Sequence, residues 1–280
     1  MGCDWNKVDF GKTGLRVSPI GIGSSYGVGP RELMRAFDRG INFYFWGLRR
    51  RGDFGSAIRT LARTHRDEMV VAIQSYSRVG WMMRGSVERA LKELEIDRVD
   101  LLCLGWWQSV PPPRILDAAR ALKESGKVRH VMISCHDRPQ FEAQARVAGI
   151  DAIMVRYNAA HTGAEREVFP QIEGTGTGVL AFTATRWGSL LKPSLTPEGE
   201  RAPRGRDCYR FVLSEPHVHS TLCGPKNGEE LDEAMAALDE GPMTADELAW
   251  MRRVGKAVRG ETKKKRPLDL VEAVRGASVD

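Results

Sequence analysis

The feature that most constrains the fold is a regular alternation of short apolar runs with amphipathic stretches along the chain. Each run is a few residues long and closes at Gly, Ser, Asn or Arg, and most are rich in β-branched or aromatic side chains, as buried strands are. Eight such runs occur, at positions 20–23, 41–46, 69–74, 99–104, 130–134, 152–156, 179–183 and 221–223. Strands that alternate with helices form a parallel sheet.

Helix signals lie between the apolar runs. The helical patterns at 31–37 and 115–122 stop at glycines, the pattern at 86–94 begins with Ser86 as a predicted N-cap, and another covers 229–235. Eight strand–helix units predict a (β/α)₈ TIM barrel. The alternative is an open doubly wound sheet in two domains. No Pro/Gly/Ser linker separates the halves, so we predict one domain over 1–280 with its core at about 8–258.

Two elements are expected outside the strand–helix repeat. Residues 8–17 alternate in polarity around Thr13 and Gly14, which predicts a β-hairpin that closes the bottom of the barrel. Residues 244–258 are a predicted extra helix, with Thr244 and Glu247 at capping-box spacing. The remaining residues, 259–280, form a basic C-terminal tail.

Composition excludes several classes of protein. The 280 residues are 42% hydrophobic, which is enough for a sizeable core and excludes global disorder. No stretch approaches the roughly 20 apolar residues that span a bilayer, and residues 1–7 lack the apolar run of a secretory signal. The five cysteines form no CxxC pair, so we expect no metal site, no disulfide framework and a cytoplasmic location.

The net charge of +6 permits binding to nucleic acid without requiring it. The densest basic run, 263–266, has no interleaved aromatic residues on which bases could stack, so it is expected to be a solvated tail. The expected partner is therefore a small molecule, rather than nucleic acid or a membrane.

The loops after the last two predicted strands carry groups that bind anions. Residues 183–188 and 224–228 combine hydroxyls, glycine amides, Arg186 and Lys226. Barrels of this class use the corresponding loops and a helix N-terminus to bind phosphate. Ordinary turn glycines with solvated cations remain the alternative.

A series of short motifs, in one order, resembles the aldo-keto reductase family of NADP(H)-dependent (β/α)₈ oxidoreductases. The resemblance covers roughly residues 8–258. The motifs lie at 11–18, 21–23, 40–43, 98–102, 126–129, 133–134, 156–158, 212–213 and 224–227. The resemblance implies a barrel that binds NADP(H) and reduces carbonyl groups.

The same resemblance places the family's four catalytic positions at residues with different chemistry. The family uses an aspartate, a tyrosine as general acid, a lysine that lowers the pKa of that tyrosine, and a histidine that orients the carbonyl. The matching positions are Phe45, Arg50, Gln74 and Gly105. Phenylalanine has no proton to give and arginine stays charged, so a divergent mechanism is predicted. Tyr44 is one residue from the aspartate position, and strand alternation should aim it at the helices; a one-residue register error would instead give Tyr44 a catalytic role.

The cofactor cradle of the family is better preserved. The resemblance implies that Ser134 binds the nicotinamide amide, Phe182 stacks on the nicotinamide ring and Lys226 lies near the adenosine 2′-phosphate. Cys135 and Met154 depart from the family's usual asparagine and glutamine, and Phe182 as a plain core residue is the alternative. The predicted cofactor is NADP(H), held by Ser134, Phe182, Thr183, Arg186 and Lys226.

The predicted pocket combines aromatic rings with a cation. Two tryptophans beside Arg50 indicate a flat aromatic or anionic ligand held by stacking and charge, unless the tryptophans only fill space. Arg50 is the candidate for gripping an anion and His136 for moving a proton; a solvated triplet at 49–51 is the alternative for Arg50. The lining residues are Phe45, Gln74, Trp106, Trp107 and Asn158, with His136 and His161 at the rim.

Two functions remain open at this point. The first is an NADP(H)-binding oxidoreductase of divergent mechanism, whose acceptor is already electrophilic or receives its proton from His136. The second is a non-catalytic relative, a pseudoenzyme that binds NADP(H) or another anion in a regulatory role.

Overall fold

The structure, a computed structural model that describes residues 7–47, 50 and 52–264, closes eight parallel strands into a barrel. Strand order follows the chain, and the last strand pairs with the first. Every predicted apolar run overlaps one strand, so the (β/α)₈ barrel is confirmed and the open sheet is excluded. The strands are β3 (Ile20–Gly23), β4 (Phe43–Trp46), β5 (Val70–Ser75), β6 (Val99–Leu104), β7 (Val128–Ser134), β8 (Ala152–Arg156), β9 (Gly178–Phe182) and β10 (Ser220–Cys223).

Helices connect the barrel strands. Their bounds are α1 (Pro30–Asp38), α2 (Gly52–His65), α3 (Gly80–Leu94), α4 (Pro113–Glu124), α5 (Gln140–Ala145), α6 (Ala164–Glu167), α7 (Phe169–Ile172), α8 (Gly205–Leu213), α9 (Gly228–Glu240) and α10 (Ala245–Lys264). One predicted boundary is wrong: Ser86 lies in the second turn of α3, not at its N-cap. The extended N-cap is Val79, and buried Met83 carries the apolar pattern back to that point.

Strand β4 shows how alternation separates the two faces of the barrel wall. Phe43 and Phe45 belong to the cluster inside the barrel. Tyr44 and Trp46 belong to the cluster between strands and helices, and the Tyr44 hydroxyl donates to the Ile41 carbonyl oxygen at 3.1 Å. Tyr44 therefore faces away from the barrel interior, as strand alternation predicts.

The predicted hairpin closes the end of the barrel at which the strands begin. Strands β1 (Val8–Asp9) and β2 (Arg16–Val17) pair antiparallel. Phe10, between them, is fully buried in the inner cluster. Its ring meets Phe43 edge to face, with centroids 6.0 Å apart. The opposite end of the barrel is left for a ligand.

The predicted extra helix is α10, which is longer than expected. The Thr244 N–H donates to Glu247 Oε2 at 2.8 Å, and the Glu247 N–H donates to Thr244 Oγ1 at 3.3 Å, so the capping box is confirmed. The predictions for residues 1–6, Arg49, Arg51 and 265–280 fall outside the described residues.

Candidate functional site

The candidate site is the mouth of the barrel, where the eight parallel strands end. Of the five non-glycine residues with positive φ in the described part of the chain, four lie in loops at this end: Trp106, Thr183, Arg186 and Trp187. Such backbone is uncommon for residues with a side chain and collects at functional sites. The fifth, Glu95, is only the C-cap of α3. Backbone strain therefore concentrates at the mouth.

A row of four rings crosses the mouth from the end of β5 to the end of β9. Centroids are 5.8 Å apart for Tyr76 and Trp106, 5.6 Å for Trp106 and His136, and 6.1 Å for His136 and Phe182, each pair meeting edge to face. We call these residues the mouth row. Trp106 remains 51% exposed, so its ring can still contact a ligand.

Gly105, at the end of β6, owes its identity to the side chains around it. A Cβ at this position would lie 2.6 Å from the Tyr76 ring and 3.1 Å from Gln74 Nε2. Real Cβ atoms are not found at 2.6 Å from a ring carbon. Tyr76 therefore occupies the volume that any side chain at position 105 would need.

Arg78 holds the loop after β6 in place. Its guanidinium donates to the Gly105 carbonyl oxygen at 3.1 Å and to that of Trp106 at 2.6 Å. The same group lies 4.0 Å from the centroid of the Trp107 ring. Trp107 is only 8% exposed and packs in the cluster between strands and helices. The structure thus does not bring Trp107 to the mouth row, because Arg78 and the outer core retain it.

The Arg50 guanidinium is directed at β5 and α3 rather than at Trp106. It donates to the Gln74 carbonyl oxygen at 3.2 Å, to the Ser86 carbonyl oxygen at 3.3 Å and to Ser86 Oγ at 3.1 Å. It also lies 5.2 Å from the centroid of the Trp46 ring. Burial lowers the pKa of Arg50, Glu93 opposes that shift and Arg89 adds to it. Arg50 is therefore a held group and not a freely solvated loop cation.

Arg50 lines a cavity of about 590 Å³ between the ends of β4 and β5 and the first turns of α3. We call it the α3 cavity. Its volume lies in the range of small-molecule sites. The other lining residues with polar, aromatic or thioether side chains are Gln74, Ser75, Tyr76, Ser77, Trp81, Met82, Ser86 and Arg89. Phe45 lies instead in the inner core and is 5% exposed.

His136 is held by Arg156 at the end of β8. Arg156 Nη2 lies 2.5 Å from His136 Nδ1. A guanidinium only donates, so Nδ1 accepts and the ring proton resides on Nε2. Partial burial and the Arg156 charge lower the pKa of His136, so the ring is neutral at pH 7. In this state His136 can donate a hydrogen bond through Nε2.

Asn158 connects two loops of the mouth instead of lining it. The side chain is fully buried, donates to the Thr183 carbonyl oxygen at 2.8 Å and accepts from the Ala160 N–H at 3.0 Å. His161 Nδ1 lies 3.3 Å from Asn158 Oδ1. Burial, followed by the charges of surrounding arginines, lowers the pKa of His161 to about 4. His161 is therefore not protonated at neutral pH.

The residues expected to hold the cofactor are spread along one side of the mouth. Ser134 Oγ accepts the Trp106 N–H at 3.0 Å, and the hydroxyl also lies within hydrogen-bond reach of the buried Cys103 thiol. Phe182 is partly buried in the inner cluster, at the end of the mouth row. Arg186 donates to the Val258 carbonyl oxygen at 3.0 Å and so also anchors α10.

The Thr183 hydroxyl donates to the Phe182 carbonyl oxygen at 2.6 Å. Lys226 is largely exposed and lies 4.0 Å from Glu230 Oε1. An exposed pair of this kind is weak, so a phosphate can compete with Glu230 for Lys226. The set of groups, an aromatic face with hydroxyls, Arg186 and the exposed Lys226, fits a dinucleotide phosphate.

Sequence reasoning missed several residues of the site. Tyr76 and Arg78 follow the predicted strand 69–74 within four residues, a position that marks the mouth of a barrel. Arg156 is the last residue of the predicted strand 152–156, and alternation places it on the inner face. Its position at the mouth could therefore be predicted from the sequence. The sequence did not indicate Trp81 and Met82, because the predicted helix begins at Ser86 whereas α3 begins at Gly80.

Two absences apply to the described ranges 7–47, 50 and 52–264. No helix there combines the length and apolarity that a membrane crossing requires. No three His, Cys, Asp or Glu side chains in those ranges cluster as metal ligands.

The fold and mouth define a (β/α)₈ barrel of the kind that carries its chemistry at the carboxyl ends of the strands. The model of the Aldo/keto reductase family matches residues 33–207, more than half of the chain. The protein therefore belongs to the aldo/keto reductase family, as the motifs indicated.

Solved structures agree on the fold. An aldo-keto reductase from Bacillus halodurans in its holo form has a TM-score of 0.76 at 19% identity, covering 90% of this chain and 97% of that one. An aldo/keto reductase from Klebsiella pneumoniae, solved with NADP and acetate, has a TM-score of 0.76 at 20% identity, covering 90% and 96%.

Curated relatives match more loosely. Norsolorinic acid reductase B of Aspergillus parasiticus is 31% identical over 128 residues, 42% of this chain and 32% of that protein. L-galactose dehydrogenase of Arabidopsis thaliana is 22% identical over 279 residues, 82% of this chain and 87% of that protein. The chain thus spans only about a third of the length of the first of these relatives.

Proposed function

We propose that this protein is an NADP(H)-binding oxidoreductase that reduces a flat or anionic acceptor by a mechanism without the usual aldo-keto reductase tetrad. The observation that carries the proposal is the mouth row, which ends on Phe182 and provides an aromatic platform beside neutral His136. The NADP complex of the Klebsiella pneumoniae relative supports the choice of cofactor.

The residues proposed for the cofactor are Ser134, Phe182, Thr183, Arg186 and Lys226. Phe182 would carry the nicotinamide ring and Ser134 its amide, while Lys226 would meet the 2′-phosphate as a point charge. When bound, the reduced cofactor supplies the hydride.

His136 is proposed to orient the acceptor. Because His136 Nδ1 accepts a hydrogen bond from Arg156, the Nε2–H group of His136 is the donor that can bind a carbonyl oxygen. A neutral imidazole polarises that oxygen without being a strong acid, and this suits an acceptor that is already electrophilic. The replacement of the tyrosine and lysine positions by Arg50 and Gln74 favours the same kind of acceptor.

A second candidate is a non-catalytic protein that binds NADP(H) in a regulatory role. It is favoured by Gly105, where Tyr76 fills the volume a catalytic histidine would need. We also propose a cytoplasmic location. The four cysteines among the described residues are buried and free, which supports a reducing compartment.

Titration with NADPH and NADH, followed by tryptophan fluorescence, tests the cofactor. We expect saturable binding with preference for NADPH, and Lys226→Ala should lower NADPH affinity about tenfold, or roughly 1.4 kcal/mol, without changing NADH affinity. Lys12→Ala, at the hairpin end of the barrel, is the matched control. Failure of both dinucleotides to bind at millimolar concentration would overturn the proposal.

A panel of acceptors then separates the two candidates. Simple aldehydes should be reduced slowly, because a missing general acid typically costs roughly 10²–10⁴-fold in rate. Electrophilic quinone-like acceptors should react faster. NADPH binding without oxidation by any acceptor would favour the regulatory candidate.

A further inference from the structure

The charged groups that line the α3 cavity all carry positive charge. Two guanidinium groups, Arg50 and Arg89, line it, and its described lining contains no carboxylate. Cavities that focus one sign of charge raise the local concentration of the opposite sign. The lining therefore selects for an anion.

Arg50 is the stronger of the two cations as a binding group. It is partly buried, and no carboxylate among the described residues lies within 4.0 Å of it. Its three hydrogen bonds go to the neutral oxygens of Gln74 and Ser86. Because a guanidinium has five N–H donors, donors remain for a ligand. Glu93 acts on Arg50 only from beyond that distance. A partly buried charge with no carboxylate in contact is costly to the fold, and an anion in the cavity would reduce that cost.

Two neutral polar groups lie beside the cations. In the described part of the chain, neither the Gln74 amide nor the Tyr76 hydroxyl has a hydrogen-bond partner, and both residues line the α3 cavity. Gln74 Nε2 lies beside Gly105, 3.1 Å from where a Cβ at that position would be. These groups can bind a polar atom of a ligand without adding charge.

The outer wall of the cavity is apolar. Trp81 is 68% exposed and Met82 is 48% exposed, although both are large hydrophobic residues. Their positions in the first turn of α3 place them at the cavity entrance. A ligand with a flat aromatic body would cover both side chains while its charged end reached Arg50.

We propose that the α3 cavity binds a flat aromatic carboxylate, with the carboxylate on Arg50 and Arg89 and the ring against Trp81 and Met82. The inference goes beyond the proposed function, because this binding requires no dinucleotide and no hydride transfer. Its failure is therefore distinguishable from a failure of cofactor binding.

Isothermal titration calorimetry of the full chain with 2-naphthoate, in the absence of NADPH, tests the proposal. We expect one saturable site. The neutral isostere 2-naphthamide should bind at least tenfold more weakly, because it has no charge for the guanidinium groups. Equal affinities for the two probes would overturn the anion assignment. If binding does not saturate below about 10 mM 2-naphthoate, the binding free energy is weaker than roughly 3 kcal/mol. That result would overturn the site itself.

Variants locate the site without relying on Arg50, whose loss removes three internal hydrogen bonds. Arg89→Gln and Trp81→Ala alter exposed groups of α3, and each should weaken 2-naphthoate binding at least threefold. Arg84→Gln, on the same helix but outside the lining, is the matched control and should bind like the wild type. Unchanged affinity in both cavity variants, or an equal loss in the control, would contradict the proposal.

Discussion

The two ends of this barrel differ in how their charged side chains are paired. At the end where the strands begin, Asp100 accepts the Val71 N–H at 2.8 Å and pairs with Arg66 at 2.9 Å and Arg129 at 3.3 Å. At the mouth, Arg50 has no carboxylate partner within the described ranges, and Tyr76 keeps an unbonded hydroxyl there.

The comparison shows where stability and function reside in this chain. The Asp100 carboxylate, paired with two arginines and a backbone amide, fastens neighbouring strands and has both of its oxygens occupied. Partly paired groups, exposed rings and positive φ values are costly to the fold, and such costs persist where a ligand offsets them. Variants at the two ends should therefore have different consequences.

The largest expected effect is at the paired end. Asp100→Ala leaves the partly buried Arg66 without its counter-ion, which typically costs about 3–5 kcal/mol of folding free energy. Urea unfolding measures the loss. Asp97→Ala is the control, because its pair with Arg98 is 71% exposed on the carboxylate side and should contribute below about 1 kcal/mol. Equal losses of folding free energy in the two variants would contradict the stabilising role assigned to the Asp100 pairs.

The next effect is at the mouth. Gly105→Ala drives a methyl group into the Tyr76 ring, at a cost of about 1–3 kcal/mol for overpacking, and should abolish 2-naphthoate binding. The double variant Gly105→Ala, Tyr76→Ala should recover part of the stability. Gly260→Ala is the control, since its Cβ meets nothing within 4 Å and should stabilise α10 by roughly 0.5–1 kcal/mol.

A smaller effect sharpens the distinction between the two faces of β4. Tyr44→Phe loses one hydrogen bond in the outer core and should cost about 0.5–1.5 kcal/mol by urea unfolding. Ligand binding and any reductase activity should not change, because the hydroxyl faces the helices. A large loss of activity with unchanged stability would restore the catalytic role that a one-residue register shift assigns to Tyr44.

The last effect is absent at neutral pH and appears only in acid. The unfolded chain protonates His161 near its ordinary pKa of 6.5, whereas the folded chain resists protonation until about 4. Protons therefore favour the unfolded state, and the free energy of unfolding falls as the pH drops from 6.5 to 4. His161→Asn should remove part of that slope and leave the pH dependence of the free energy of unfolding unchanged above pH 6.5. Identical slopes in the two proteins would contradict the pKa shift.

Much of the architecture followed from local pattern. The eight apolar runs predicted the eight strands, residues 8–17 predicted the hairpin, and the spacing of Thr244 and Glu247 predicted the start of α10. Period-two alternation also predicted the outward face of Tyr44. These features depend on residues a few positions apart, so the sequence by itself determined them.

The arrangement of the mouth required the closed barrel. Tyr76 meets Gly105, Arg78 retains Trp107, and Arg50 reaches Ser86 across 36 positions of the chain. Each contact joins different strand–helix units of the barrel, far apart in the sequence. Periodicity carries no information about such long-range choices, so only the tertiary structure decided them.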